Sequence, residues 1–95
     1  MALRHYDVTL AATATRVTTQ ANRKPLKYLL IHNTNGNSAI YIGGSTVSAS
    51  SYGHTLASSE EVTLGPFSGE APLNSDEVYI FGTENDVVHC LAITH

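Results

Sequence analysis

The side chains that could bind a metal ion or transfer a proton include five histidines, at positions His5, His32, His54, His89 and His95. None of them forms an HxH or HExxH pair, so a metal-binding cluster would have to be assembled by the fold. A single histidine in a strand is more often a hydrogen-bonded structural residue than a metal ligand. The sequence therefore predicts no metal site.

The one cysteine, Cys90, excludes a disulfide within the chain and any zinc site built from several cysteines of one chain. Cys90 directly follows His89, and neighbouring residues of a strand point to opposite faces. The two side chains therefore cannot form a cysteine–histidine nucleophile pair with each other. Since Val88 and Ala92 share its face, Cys90 is predicted to be a buried thiol.

The acidic residues show no spacing typical of a catalytic pair. Glu60 and Glu61 are adjacent, as are Asp76 and Glu77. Adjacent carboxylates on a strand face apart, which makes them poor acid–base partners. Residues 84–86 offer several oxygens in one turn, but a calcium loop needs more ligands at regular spacing.

A glycine-rich run, Gly43-Gly44-Ser45-Thr46, is superficially similar in composition to a phosphate-binding loop. No lysine follows it and no helix is predicted to begin there, so phosphate binding is disfavoured. The chain also lacks a Gly-x-Ser-x-Gly nucleophile motif. The sequence therefore predicts a protein that is not an enzyme and that uses no cofactor.

Length and composition indicate one small globular domain spanning residues 1–95. The chain has 95 residues, of which 42% are hydrophobic and only 14% are charged, so disorder is not expected. No run of about 20 apolar residues is present, which predicts no membrane span. No signal sequence is recognisable, and a protein assembled in a cytoplasm is expected.

Charge is distributed unevenly along the chain. Residues 1–27 contain all five basic residues and one acid, a net of +4, whereas residues 28–95 contain seven acids and no Lys or Arg, a net of −7. Either this split only aids solubility, or the early segment meets an acidic surface on another copy or another protein. Nucleic acid is not expected as a partner. The chain has few Lys and Arg residues, and no aromatic residues are interleaved with them to stack on nucleobases.

The residue pattern predicts short strands and no long helix. Val, Ile, Thr and Tyr dominate the segments between turn signals, as is typical of strands. The predicted strands are residues 5–11, 14–19, 26–33, 39–42, 54–56, 60–64, 77–81 and 87–94. The predicted fold class is an all-β, single-domain β-sandwich or small jelly-roll-like barrel of seven or eight short strands.

Some local predictions are more specific. Residues 26–33 are apolar on both faces, which predicts a central strand buried on both sides. Asn35-Gly36 is a strong turn signal, so residues 26–42 are expected to form a hairpin. Residues 65–74 contain two of the three prolines and are predicted to be a loop. A short polar turn, residues 82–86, joins the last two strands.

Residues 31–56 carry a resemblance to a known group of proteins. Asn33, the run Ile40-Tyr41-Ile42-Gly43-Gly44-Ser45 and the following Tyr52-Gly53 match a pattern of small virion proteins of tailed bacteriophages. The Ala12–Val17 run is also typical of them, as is a closing hairpin formed by residues 77–81 and 87–94. The chain thus resembles phage proteins of the capsid decoration or cement type.

This resemblance implies a non-enzymatic β-sandwich on the capsid surface of the virion, assembled in the host cytoplasm. The implied partners are the major capsid protein and further copies of the chain, with a homotrimer favoured and neither nucleic acid nor membrane involved. The implied activity is stabilisation of the head. A head–tail joining or tail-associated protein is the alternative, followed by a carbohydrate- or receptor-binding module, for which Tyr52 is the only tyrosine in a predicted loop.

The candidate partner-binding residues are taken from the basic early segment and from the proline-containing loop. Contacts are expected at the N-terminus, in the loop of residues 20–24 and in the loop of residues 65–74. The individual candidates are Met1, Ala2, Leu3, Arg4, His5, Arg16, Arg23, Lys24, Pro66 and Phe67.

Overall fold

A computed structural model of the chain describes residues 2–18, 24–68, 70 and 73–95. Nine strands lie in these residues, seven of them three or more residues long. They are β1 (Ala2–Thr9), β2 (Thr15–Arg16), β3 (Pro25–Asn33), β4 (Ile40–Gly43), β5 (His54–Leu56), β6 (Glu61–Leu64), β7 (Leu73–Asn74), β8 (Tyr79–Phe81) and β9 (Val87–Thr94). One turn of 3-10 helix, Ser75–Glu77, precedes β8. No helix among the described residues has the length and apolarity to cross a bilayer.

The strands form two antiparallel sheets. The first sheet has the order β1-β9-β3-β6, with β7 also paired to β3, and the second has the order β2-β8-β4-β5. The pairs are nested along the chain: β1 with β9, β2 with β8, β3 with β6, and β4 with β5. This nesting is the strand order of a jelly roll, so the predicted all-β sandwich is confirmed.

The core lies between the two sheets and follows the alternation of each strand. On β9, Val88, Cys90 and Ala92 are buried, whereas Val87 and Leu91 on the opposite face are exposed. Leu29 and Ile31 of β3 face Ile40, Ile42 and Ile80 of the second sheet within one buried cluster. Each fully buried aliphatic side chain contributes about 1.5–3 kcal/mol, so this cluster is the main source of stability.

The predicted hairpin of residues 26–42 is wrong. Gly36 does form a turn, with φ of +93°, but β3 belongs to the first sheet and β4 to the second. The turn therefore carries the chain from one sheet to the other. This arrangement buries the inner faces of both strands against each other, which pairing them side by side would not do.

The same correction applies to the last two strands. β8 pairs with β4 and β2, and β9 pairs with β1 and β3, so residues 82–86 connect the sheets and close no hairpin. Gly82 lies in this connection. A Cβ at that position would stand 2.7 Å from the Cδ1 atom of Leu10, because the chain crosses the end of the core there.

Strand β3 is central in its sheet, as predicted, but it is not buried on both sides. Leu29 and Ile31 are fully buried, whereas Tyr28 and Leu30 on the other face are only half-buried. No third layer covers the outer face of this sheet within the part of the chain that is described. Apolar residues on both faces of a strand were therefore not sufficient to predict that both faces of its sheet are buried.

Several boundaries differ from those predicted. β1 begins at Ala2, and β2 is only two residues long, with Thr19 outside the described residues. Glu77 belongs to the 3-10 turn, and the predicted loop of residues 65–74 ends in β7, which pairs with the start of β3. Strands β5 and β9 have the predicted limits, and β5 is an edge strand as expected.

Candidate functional site

Three regions of the surface hold the groups available for function: the first sheet at one end and on its outer face, the edge formed by β1 and β2, and the outer face of the second sheet. The first two contain the candidate residues predicted from the sequence. Met1 and Arg23 lie outside the described residues, so nothing is said of their structure.

One end of the first sheet brings several candidates together. Ala2 lies opposite Thr94, which also lies opposite Leu26 at the start of β3. The backbone N–H of His95 donates to the carbonyl oxygen of Pro25 at 3.1 Å, and its Nε2 lies 2.9 Å from the carbonyl oxygen of Phe67. The first strand, the segment entering β3 and the loop after β6 therefore meet at this end.

The candidates at this end differ in accessibility. The backbone of Lys24 is fixed by two hydrogen bonds to Ser75. Its N–H donates to the Ser75 hydroxyl at 2.9 Å, and its carbonyl accepts from the Ser75 N–H at 2.8 Å. Pro66 is exposed, whereas Phe67 packs against the core. Phe67 thus anchors its loop. Leu3, by contrast, is 68% exposed and presents an apolar side chain to solvent.

Strand β1 is an edge strand, and no other strand among the described residues covers its free side. It pairs with β9 on one side only, and its neighbour across the sandwich, β2, has only two residues. An open cleft of 540 Å³ runs between the two strands, lined by residues 5–9 and 15–18. Arg4 lies opposite the buried Ala92 and yet is exposed, because no strand of the second sheet covers it. The edge therefore offers unpaired backbone groups beside basic side chains.

The two edges of the sandwich carry opposite charge. Arg4 and Arg16 lie on the strands of the β1/β2 edge, where Asp7 is the single acid. Glu60 and Glu61 lie at the β5/β6 edge, before and within β6. The uneven charge along the sequence thus becomes, in part, an uneven charge across the fold.

The outer face of the first sheet holds two histidines side by side. His32 of β3 lies opposite His89 of β9. Nδ1 of His89 is hydrogen-bonded to Oδ1 of Asp7 at 2.8 Å, and Nδ1 of His32 lies 3.7 Å from Oε2 of Glu61. His89 is thus hydrogen-bonded to a carboxylate, whereas His32 only lies near one. Nowhere in the described residues do three His, Cys, Asp or Glu side chains converge as metal ligands would.

Cys90 has the environment predicted for it. The side chain is 3% exposed on the inner face of β9, opposite to the face of His89. Burial raises the pKa of the Cys90 thiol to about 12, and the negative charge of Asp7 adds to the shift. The thiol therefore stays protonated at neutral pH and is a poor nucleophile.

Because the Cys90 thiol is buried, we expect slow labelling by thiol reagents and a loss of folding stability at alkaline pH. In the native protein at pH 8, Cys90 is expected to react with an aromatic disulfide reagent only as fast as the chain unfolds, and rapidly in denaturant. Because the unfolded thiol ionises near pH 9 and the folded one near pH 12, its contribution to stability is full below pH 9 and is lost between these values. Urea unfolding from pH 7 to pH 11, compared with Cys90→Ala, measures this loss. Rapid labelling of the native protein would contradict the prediction.

The outer face of the second sheet is aromatic. Tyr41 of β4 lies opposite Phe81 of β8, with ring centroids 6.3 Å apart. Tyr52, in the loop before β5, places its ring 4.9 Å from that of Tyr41 and is 50% exposed. Tyr79, two residues before Phe81, shares this face because strand side chains alternate. Sequence analysis placed Tyr41 and Tyr79 in strands correctly but did not identify their shared outward face.

A small polar cleft lies beside Tyr52. It has a volume of 130 Å³ and is lined by Gly43, Gly44, Gly53 and Val47, together with Thr46, Ser51 and Tyr52. Gly43 packs closely against the loop, since a Cβ there would lie 3.2 Å from a methyl group of the buried Val47 and would require Val47 to shift. At Gly44, by contrast, a Cβ would meet no atom within 4 Å. The glycines therefore let the loop fold against β4 and bring no side chain into the cleft.

Comparison with known proteins adds no relative: no protein-family model, curated protein or solved structure matches this chain. A jelly roll supports many unrelated functions. The functional argument therefore depends on the particular residues and distances of these three surface regions.

Proposed function

We propose that this chain is a non-enzymatic structural protein of a tailed-phage virion that binds the lattice of major capsid protein and stabilises the head. The edge of β1, with exposed Leu3 and Arg4, is the observation that carries the proposal. It supports the proposal because it lies in the basic early segment, where the sequence predicts partner contacts.

The β1 edge has the chemistry needed for strand addition. Eight residues, Ala2–Thr9, form this edge, and the strand contains neither proline nor lysine to block pairing. An extended segment of a capsid subunit would satisfy the free backbone groups and provide most of the affinity. Arg4 and Arg16 favour a segment that lies beside acidic side chains.

The opposite charges of the two sandwich edges support contacts between copies. If β2 of one copy meets the β5/β6 edge of the next while β1 pairs with the capsid subunit, Arg16 approaches Glu60 and Glu61 of that neighbour. Such a contact joins two different surfaces, so it forms a ring when its rotation closes, and a trimer is the favoured case. Many weak contacts repeated on one shell would then add up to tight attachment.

The test uses heads assembled from the major capsid protein encoded in the same genome. Purified chain is added to these heads, the mixture is sedimented, and the number of bound copies per particle is counted. Hundreds of copies are expected for a lattice component. About a dozen or fewer would favour the head–tail or tail-associated alternative, and absence from the pellet would refute the proposal.

A charge reversal at the β1 edge is expected to weaken head binding. Arg4→Glu should raise the dissociation constant about tenfold, roughly 1.4 kcal/mol, because it places a negative charge against an acidic partner. Glu84→Arg, an exposed reversal in the connection between β8 and β9, is the matched control and should leave binding unchanged. Equal binding by wild type and Arg4→Glu would remove the β1 edge from the interface.

A further inference from the structure

We propose that the cleft beside Tyr52 binds a neutral sugar, with the Tyr52 ring stacked on one face of a pyranose. This site lies on the outer face of the second sheet, whereas the proposed head contact uses the edge formed by β1 and β2. Sugar binding does not depend on the proposed structural role, and it can be tested on the isolated chain.

The exposed ring of Tyr52 is the first element of the site. Its ring is supported by Tyr41 at a centroid distance of 4.9 Å and an interplanar angle of 49°, and half of the residue stays open to solvent. Phe81 extends the same aromatic surface beyond Tyr41. A flat ring with one supported side and one open side can cover the C–H face of a sugar, while its hydroxyl remains free for a polar contact.

The polar cleft is the second element. Gly43, Gly44 and Gly53 bring no side chain into the cleft, and the hydroxyl groups of Thr46 and Ser51 line it as donors and acceptors. Sugar hydroxyls need such mixed donors and acceptors at close range. The volume of 130 Å³ corresponds to about four water molecules, so the cleft accommodates part of one sugar unit beside the ring.

Charge selects the class of ligand. Among the described residues, no charged side chain lines the cleft, and residues 28–95, which contain it, have no Lys or Arg. A phosphate or sulfate would therefore find no cation in the lining of the cleft, and the net charge of −7 over these residues would repel it. Nucleic acid is disfavoured for the same reason, which leaves neutral, hydroxylated ligands as the best match.

The loop that presents Tyr52 is held in place before any ligand arrives. Val47 is buried, and its N–H donates to the carbonyl of Gly44 at 3.0 Å. Backbone bonds join Ser48 and Ser51 in both directions, at 2.7 and 3.3 Å. Gly53 donates to the carbonyl of Ile42 at 2.9 Å, which ties the loop to β4. A site that is already ordered loses less entropy when it binds.

The experiment is a titration of isotopically labelled chain with neutral glycans, followed by amide chemical shifts. The probes are methyl glycosides of glucose, galactose, mannose and N-acetylglucosamine, and short oligomers of each. We expect shifts at the amides of Gly43, Gly44 and Gly53, with millimolar dissociation constants for single units and tighter binding for the oligomers.

Two variants make the site falsifiable without disturbing the core. Tyr52→Ala is expected to weaken sugar binding at least tenfold. Tyr28→Ala, on the outer face of the other sheet, is the matched control and should bind sugar as wild type does. Gly44→Leu should also weaken binding, because Gly44 lines the cleft and a Cβ there meets no atom within 4 Å, so the added side chain competes with the ligand for this space.

Several results would overturn the site. They are the absence of shifts with every neutral glycan, shifts that persist in both Tyr52→Ala and Gly44→Leu, and a preference for sulfated or phosphorylated sugars. Head binding by Tyr52→Ala, measured in the sedimentation assay, should equal that of wild type. The sugar proposal and the virion proposal can therefore fail separately.

Discussion

Replacing Asn33 with alanine is expected to lower the free energy of unfolding by about 3 kcal/mol. Asn33 is fully buried at the end of β3. Its Nδ2 group lies 3.1 to 3.2 Å from the carbonyl oxygens of Ser38, Leu56 and Ala57, and its Oδ1 accepts from Nδ2 of Asn37. One side chain thus joins β3 to the connection that follows it and to the end of β5. Removal leaves buried polar groups without partners.

Urea denaturation measures this loss, and two further variants identify its cause. Asn33→Asp keeps the volume but removes the amide hydrogens, so it should destabilise at least as much as Asn33→Ala. Asn35→Ala is the control, because Asn35 is exposed and accepts only from the Ser59 hydroxyl; its effect should stay below about 0.5 kcal/mol. Similar losses for Asn33→Ala and Asn35→Ala would show that the buried amide contributes little.

Gly65→Ala is expected to be the most damaging single-methyl change, at about 3 to 4 kcal/mol from backbone strain and overpacking together. Gly65 follows β6 and has φ of +118°, a conformation that alanine resists. A Cβ there would overlap the carbonyl oxygen of Lys27. That oxygen accepts the N–H of Phe67 at 2.9 Å, so the chain must pass this close to β3 to anchor its loop.

Thermal or urea unfolding tests this prediction against a matched glycine. Gly44→Ala adds the same methyl group where φ is ordinary and no atom lies within 4 Å, so its stability should stay within about 0.5 kcal/mol of wild type. If Gly65→Ala folds as stably as Gly44→Ala, the close approach at Lys27 does not constrain the native chain.

The strand faces were predictable because alternation is a local property of the chain. Val88, Cys90 and Ala92 follow each other at every second position, and all three are buried as predicted. Sequence alone also identified the limits of β5 and β9 and the turn at Gly36. A pattern that repeats every two residues reports which face is apolar, whichever strand lies beside it.

Strand partners were not predictable from the same signals. A turn such as that at Gly36 reverses the chain equally well within a sheet or between two sheets. Here the inner faces of β3 and β4 are both apolar, and both are buried only when the strands lie in opposite sheets. The predicted hairpins failed because this choice depends on the whole core.

The candidate sites were likewise only partly predictable from the sequence. The basic early segment was visible in the sequence, and the structure places Arg4 and Arg16 along one edge of the sandwich. The aromatic surface was not visible, since Tyr41 and Tyr52 are eleven positions apart and become neighbours only when the loop folds back on β4. The alternation of Tyr79 and Phe81 was the one signal that could have indicated an outward aromatic face.

The amino-acid sequence by itself determined that this protein is built from short strands with one apolar face each, and that its early residues are basic. Only the tertiary structure decided that Ala2 lies opposite Thr94, that β1 is an edge strand, and that Tyr52 stands beside a polar cleft. The physical reason is distance along the chain. Side-chain alternation is set by each residue and its neighbours, whereas strand pairing is set by burying all the apolar faces at once.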